Sequence, residues 1–241
     1  MPELLQTLHW GVIFQIILID ILLGGDNAVV IALACRGLAP GKRMYGILWG
    51  TAGAIVLRVL LISFALVLLD VPFLKIIGCV LLLWIGIKLM LPDNDEHDGI
   101  KSTASILTAV KTIIVADVAM SLDNVIAIAG AAEGTHAAHQ IFYVIFGLMV
   151  SVPVIVWGST LVLKLMDRFP LVVALGAGLL GWIAGGMLVT DVYFVERLGK
   201  PSTAAKLAAE AAGAFVVIAV GKRLAAYRQA ERKRSHDSAL M

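Results

Sequence analysis

Charge is what this sequence has least of. Only 15% of its 241 residues are Asp, Glu, Lys or Arg, whereas 60% are hydrophobic and the mean hydropathy is +0.96. A water-soluble domain of this length has no use for so much apolar surface. A helix needs about 20 apolar residues to cross a bilayer, and the chain offers such runs repeatedly. Cysteine is nearly absent. Cys35 and Cys79 lie inside apolar stretches near opposite membrane faces, so free thiols are expected rather than a disulfide. The N-terminus has no basic region ahead of its apolar run, and that run carries aspartates, so a cleavable signal is not expected. No ATP-binding phosphate loop occurs, which argues against primary active transport by this chain alone. No lysine stands between Lys206 and Lys222 in the last apolar run, so a seven-helix retinal protein lacks its Schiff-base residue. Net charge is only +2, with the basic residues spread over loops and one tail, and no nucleic-acid partner is expected.

What is present reads as an all-α, polytopic membrane protein with seven transmembrane helices. The expected spans are Trp10–Cys35, Tyr45–Leu69, Phe73–Leu91, Ala104–Ala132, Ile141–Leu165, Leu171–Val189 and Ala204–Ala225. Turn or charge signals separate them: Pro40 to Arg43, Asp70 to Pro72, the acidic run from Pro92 to Gly99, Glu133-Gly134, Asp167 to Pro170 and Asp191 to Pro201. These breaks are short, so residues 1–241 form a single transmembrane domain. Basic residues then set the orientation. With the N-terminus outside, 13 of the 19 lie on the cytoplasmic side, among them Arg36, Lys42, Arg43 and Lys88. Outside lie only Lys75, Arg197, Lys200 and Lys206. A bacterial-type inner (plasma) membrane is expected, with the C-terminus cytoplasmic and the basic tail, residues 226–241, next to anionic lipid.

The sequence repeats itself. The first span holds Asp20-Ile-Leu-Leu-Gly-Gly-Asp26-Asn27, and the fourth holds Asp117-Val-Ala-Met-Ser-Leu-Asp123-Asn124. Both read D-x5-D-N followed by small and β-branched residues, at an offset of 97. Ile47-Leu48-Trp49-Gly50 matches Val144-Ile145-Phe146-Gly147 at the same offset. Leu82 to Gly86 matches Leu180 to Ala184 at 98. Three helices therefore recur, over about residues 10–91 and 104–189, with a seventh helix over about 204–225. Three is odd, so the second copy enters from the opposite side. Such inverted repeats place the site of a secondary transporter near the midplane between copies.

Aspartates at helix centres are expensive, at roughly 2.5–3.5 kcal/mol each on insertion scales. Asp20, Asp26, Asp117 and Asp123 need a cation, protons or basic partners, and only Arg58 and Lys111 lie within spans to supply charge. Lys111 is near enough to the inner end to snorkel. On a straight helix Asp20 and Asp26 are separated by roughly 9 Å of rise and about 120° of rotation. Two routes bring ligands together. Gly24-Gly25 invites unwinding of the first helix, or else carboxylates pair across the copies, Asp20 level with Asp123 and Asp26 with Asp117. With Asn27 and Asn124 the expected metal set is all oxygen, which suits Mg²⁺, Ca²⁺ or Mn²⁺. No Cys or His adjoins it, which argues against zinc or copper. His9, His97, His136, His139 and His236 lie in loops or at termini, and the acidic run Asp93 to Asp98 reads as a solvated loop or a weak cation antenna. Arg58, matched in the second copy by Ile155, is a candidate gate or counter-charge. Asp191 and Glu210 are second-tier candidates.

On Gly24-Gly25-Asp26-Asn27-Ala28 and Ser121-Leu122-Asp123-Asn124 the chain resembles the TerC family of integral membrane proteins, in its YjbE-type branch. The resemblance covers nearly the whole chain and implies seven helices and divalent-metal handling. Members are associated with manganese export. The family's acidic motif falls on Asp20, Asp26, Asn27, Asp117, Asp123 and Asn124. Three functions compete. The first is export of a divalent cation, Mn²⁺ by the resemblance, in exchange for protons, with the cation as cargo and no resident cofactor. The second is a non-transporting membrane partner of an envelope or metal-stress complex. The third is an intramembrane aspartyl protease, which needs one carboxylate dyad rather than four symmetric carboxylates.

Overall fold

The computed structural model describes residues 10–23, 25–64, 71–91, 105–132 and 137–239. Among them lie nine helices and no strand: α1 (Trp10–Leu23), α2 (Gly25–Cys35), α3 (Pro40–Ser63), α4 (Leu74–Met90), α5 (Ile106–Ala132), α6 (Ala137–Arg168), α7 (Pro170–Val189), α8 (Val192–Leu198) and α9 (Thr203–Ala239). Pro40 and Pro170 open α3 and α7, where a ring with preset φ and no N–H costs nothing.

Four helices are long and apolar enough to cross a membrane, and the bent pair α1–α2 makes a fifth. Helix α4 has only 17 residues, about 26 Å, and α5 carries Lys111, Asp117 and Asp123 along its 27. The expected span Trp10–Cys35 is broken: Phe14–Ile21 and Gly25–Cys35 meet at 50°. Two glycines in a row offer the least resistance to such a bend. Residues 226–239, expected as a tail after the last span, continue α9. The Ala, Arg, Gln, Glu and Lys that fill them are strong helix formers. The interval from Asp191 to Pro201 holds the short helix α8. Both cysteines are buried free thiols. The acidic run 93–98 and the side chains of all five histidines lie outside the described residues.

Packing fixes the directions. Gly50 faces Ile113, and Arg58 reaches Asp117 and Ser121 further along, so α3 and α5 run parallel. Asp20 meets Ser151 and Ala28 meets Gly158, so α1–α2 and α6 also run parallel. Gly46 packs on Cys35 while Arg58, further along α3, reaches back to Asp20 on α1, so α3 runs antiparallel to α1–α2. Gly78 faces Met187 and Gly86 faces Ala177, so α4 and α7 are antiparallel. Helix α9 lies antiparallel along α7, where Gly181 and Gly213 bring the two backbones into direct contact. Large apolar side chains point outward around the bundle, Trp49, Trp157 and Phe215 among them. Polar groups gather inside: Asp20, Asn27, Thr51, Arg58, Asp117, Ser121 and Ser151 are all buried. That reversal fits a bilayer as solvent.

One buried carboxylate is structural. Asp191, wholly buried, accepts from the backbone N–H of Tyr193 at 2.9 Å and so caps α8. It also accepts from Phe73 and Lys75, each at 3.1 Å, at the start of α4. Phe73 sits at φ 68°, a left-handed turn that presents these groups to it. Glu210, the other second-tier candidate, pairs with Lys206 at 3.8 Å.

Candidate functional site

At the centre of the bundle three helices meet on one guanidinium. Arg58 stands on α3, between α1 and α5. Its Nη1 donates to Asp20 Oδ1 and its Nη2 to Asp117 Oδ1, each at 2.5 Å. Its Nε donates to Ser121 Oγ at 3.2 Å. Ser121 in turn donates to Asp117 Oδ2 at 3.1 Å, one turn back on α5. Ser151, from α6, donates to Asp20 Oδ2. The side chains of Arg58, Asp20 and Asp117 are 4%, 2% and 6% exposed. Arginine's planar fork suits such a double engagement, since it presents several donors in fixed directions. Two carboxylates against one guanidinium leave the triad one negative charge in excess.

The arrangement differs from the expected levels. Asp20 and Asp117, the equivalent positions of the two sequence copies, share Arg58, rather than Asp20 standing level with Asp123 and Asp26 with Asp117. With α1 and α5 antiparallel, Asp26 then lies toward one end of the bundle. Asp123, six residues beyond Asp117 on α5, takes a register position about 9 Å along that helix in the other direction. The side chains of Asp123 and Asn124 lie outside the described residues. Among the described residues no group of three or more His, Cys, Asp or Glu is arranged to hold a metal ion. Between Asp20 and Asp117 stands the Arg58 guanidinium. Lys111 is exposed and takes no part.

Asp26 and Asn27 sit in the first turn of α2, just past the bend. Asp26 is half-buried, and its Oδ1 accepts from the Asn27 N–H at 2.8 Å. Asn27 is 5% exposed, yet neither atom of its side-chain amide has a partner among the described residues. Thr51 Oγ1 on α3 is in the same position. A buried polar group left unpaired costs about 1–3 kcal/mol, and groups of this kind mark a place where a ligand or water completes the bonding. Ser151 and Thr51 were not singled out from the sequence. Ser151 carried a signal: it is a hydroxyl in an apolar span, one turn before Ile155, the repeat match of Arg58.

Comparisons with known proteins agree with this picture at the level of family. The model of the integral membrane protein TerC family matches residues 5–233. The uncharacterised membrane protein YjbE of Bacillus subtilis (strain 168) is 42% identical over 201 residues, which cover 83% of this chain and 89% of that protein. The uncharacterised membrane protein YceF of the same organism is 24% identical over 69% of this chain and 66% of its own length. The inner membrane protein YgdQ of Escherichia coli (strain K12) is 23% identical over 78% of this chain and 83% of its own. No solved structure matches. A family match spanning nearly the whole sequence, on a helical multi-pass bundle that buries Asp20, Asn27 and Asp117, makes this chain a member of the TerC family of integral membrane proteins.

Proposed function

We propose that this protein is a secondary transporter that exports a divalent metal cation, Mn²⁺ foremost, in exchange for protons. The site lies between two inverted three-helix repeats, completed by a seventh helix. The packing supports the repeat. Helix α3 of the first copy lies along α5 of the second, and α6 of the second lies along α1–α2 of the first. The third helices, α4 and α7, pack on each other antiparallel.

One observation carries the reading: equivalent carboxylates from both copies, buried at the centre, share a single side-chain cation. A guanidinium on a long stem is a tethered stand-in for a cargo ion. A divalent cation brings two positive charges to Asp20 and Asp117 where Arg58 brings one, so it can compete for them. Asp26, with the unpaired Asn27 amide beside it, offers oxygen ligands on the approach from one side. Protons can take the same carboxylates, which gives a route to exchange. The protease reading is disfavoured because the guanidinium stands between the two carboxylates, where that chemistry needs a water.

A buried ion network can also be purely structural, which is what the non-transporting partner would use. Flux decides between them. Reconstituted protein should carry Mn²⁺ across proteoliposomes in a manner that depends on a pH gradient, and Asp26→Asn and Asp123→Asn should each abolish it while the protein still folds. Full flux in both variants would remove the carboxylate site. No flux of Mn²⁺, Mg²⁺, Ca²⁺ or Zn²⁺ by folded protein would favour the structural partner.

A further inference from the structure

One end of the bundle holds a second polar site. The C-terminal ends of α2, α4 and α6 and the N-terminal ends of α3 and α5 enclose a cavity of about 340 Å³. Arg36, Arg43 and Lys88 line it, with Asp167 as the acidic wall. Arg43 is fully committed. Its Nη1 donates to Asp167 Oδ2 at 2.5 Å, its Nη2 to the Arg36 carbonyl at 3.2 Å and its Nε to the Leu38 carbonyl at 3.1 Å. That network closes the end of α2 onto α3 and α6 and uses up the carboxylate. Arg36 and Lys88 remain, both exposed, and among the described residues neither has a carboxylate in salt-bridge range. Lys88 instead lies over the Trp84 ring, 4.9 Å from its centre. A cation–π contact of this kind holds an ammonium in place without neutralising it. Trp84 is itself 57% exposed on the outer face of α4, as a tryptophan at the headgroup level would be.

We infer that this cavity binds a phosphate group, that of an anionic phospholipid headgroup, between Arg36 and Lys88. Three observations point the same way. Among the described residues, the lining carries a surplus of two positive charges after the Arg43–Asp167 pair cancels. Its wall is held by the hydrogen bonds of Arg43, all made within the protein. It opens between helix ends beside an exposed tryptophan, where headgroups lie, and basic pockets between transmembrane helices take such groups. The inference stands apart from the transport reading, since it rests on Arg36 and Lys88, which take no part in the carboxylate site around Arg58.

The test is native mass spectrometry of the full chain in detergent, with phosphatidylglycerol and phosphatidylcholine offered at equal concentration. Wild-type protein should keep phosphatidylglycerol in preference. The pair Arg36→Gln with Lys88→Gln should weaken that retention by roughly thirtyfold, at about fivefold per charge removed near an anionic surface. Arg36→Lys with Lys88→Arg should restore it and so separates charge loss from misfolding. Inorganic phosphate is the second probe. If millimolar phosphate displaces the lipid only from wild type, the site takes the free anion as well; if it leaves the lipid in place, the headgroup is the occupant. Equal retention of both lipids by wild type, or retention unchanged in the Gln pair, overturns the proposal.

Discussion

Replacing Arg58 by methionine, similar in length but uncharged, takes the shared cation away from Asp20 and Asp117. Both carboxylates stay buried, at 2% and 6% side-chain exposure. Each keeps one hydroxyl donor, Ser151 for Asp20 and Ser121 for Asp117. Removing one partner of a buried ion pair costs about 3–5 kcal/mol, because the other charge is left uncompensated. For a chain of this size that is a fall in Tm of roughly 10 °C, at about 2–4 °C per kcal/mol. Neutralising the whole triad should behave differently. In Arg58→Met with Asp20→Asn and Asp117→Asn no buried charge remains, and the two amides can still accept from the serines, so most of the loss should return. Mn²⁺ adds a second reading. If the metal takes the guanidinium's place, it should raise the Tm of Arg58→Met more than that of wild type, and saturation at a hundredfold over Kd is worth about 2.7 kcal/mol. The assay is thermal unfolding of purified protein in detergent, with and without the metal. A Tm for Arg58→Met within about 2 °C of wild type, or a triple variant no more stable than the single one, would refute the reasoning.

Three further outcomes follow from the packing. A Cβ at Gly185 would stand 2.6 Å from the Ala209 carbonyl carbon, so Gly185→Val should force α9 off α7 at a cost of about 1–3 kcal/mol, read as lower thermal stability and faster proteolysis of the α8–α9 connection. Asp191→Ala removes the acceptor shared by Phe73, Lys75 and Tyr193, with an expected loss of about 2 kcal/mol in unfolding measurements; Asp191→Asn keeps an acceptor and should lose less. The Arg43–Asp167 bridge is partly exposed, at 21% and 44%, so a double-mutant cycle between them should return less than about 1 kcal/mol.

Much of this architecture was legible in the sequence, for physical reasons. Scarce charge and long apolar runs read as membrane helices because lipid demands both. The doubled D-x5-D-N singled out Asp20 and Asp117 because a carboxylate in that setting is costly, and Arg58 stood out on the same ground. Gly24-Gly25 marked the first span as one that could unwind, and a bend separates Phe14–Ile21 from Gly25–Cys35. The sequence did not reveal that Asp20 and Asp117 themselves meet. Where the two motif-bearing helices cross depends on how they pack, and an offset of 97 fixes which residues match in sequence without fixing which are level. Asp191 was hidden for a similar reason. It holds backbone N–H groups more than a hundred residues away, and backbone donors leave no mark in a sequence. The extension of α9 was readable in helix propensity but was masked by its charge, which reads equally well as a solvated tail.

The mismatch between Arg58 and its repeat counterpart, Ile155, has an energetic consequence. An isoleucine on α6 asks nothing directional of its neighbours, whereas the guanidinium on α3 is answered by Asp20, Asp117 and Ser121 at once. Sliding α3 by one turn against α1 or α5 would strand a buried charge. One side chain thus fixes the register of three helices whose apolar contacts alone would tolerate several.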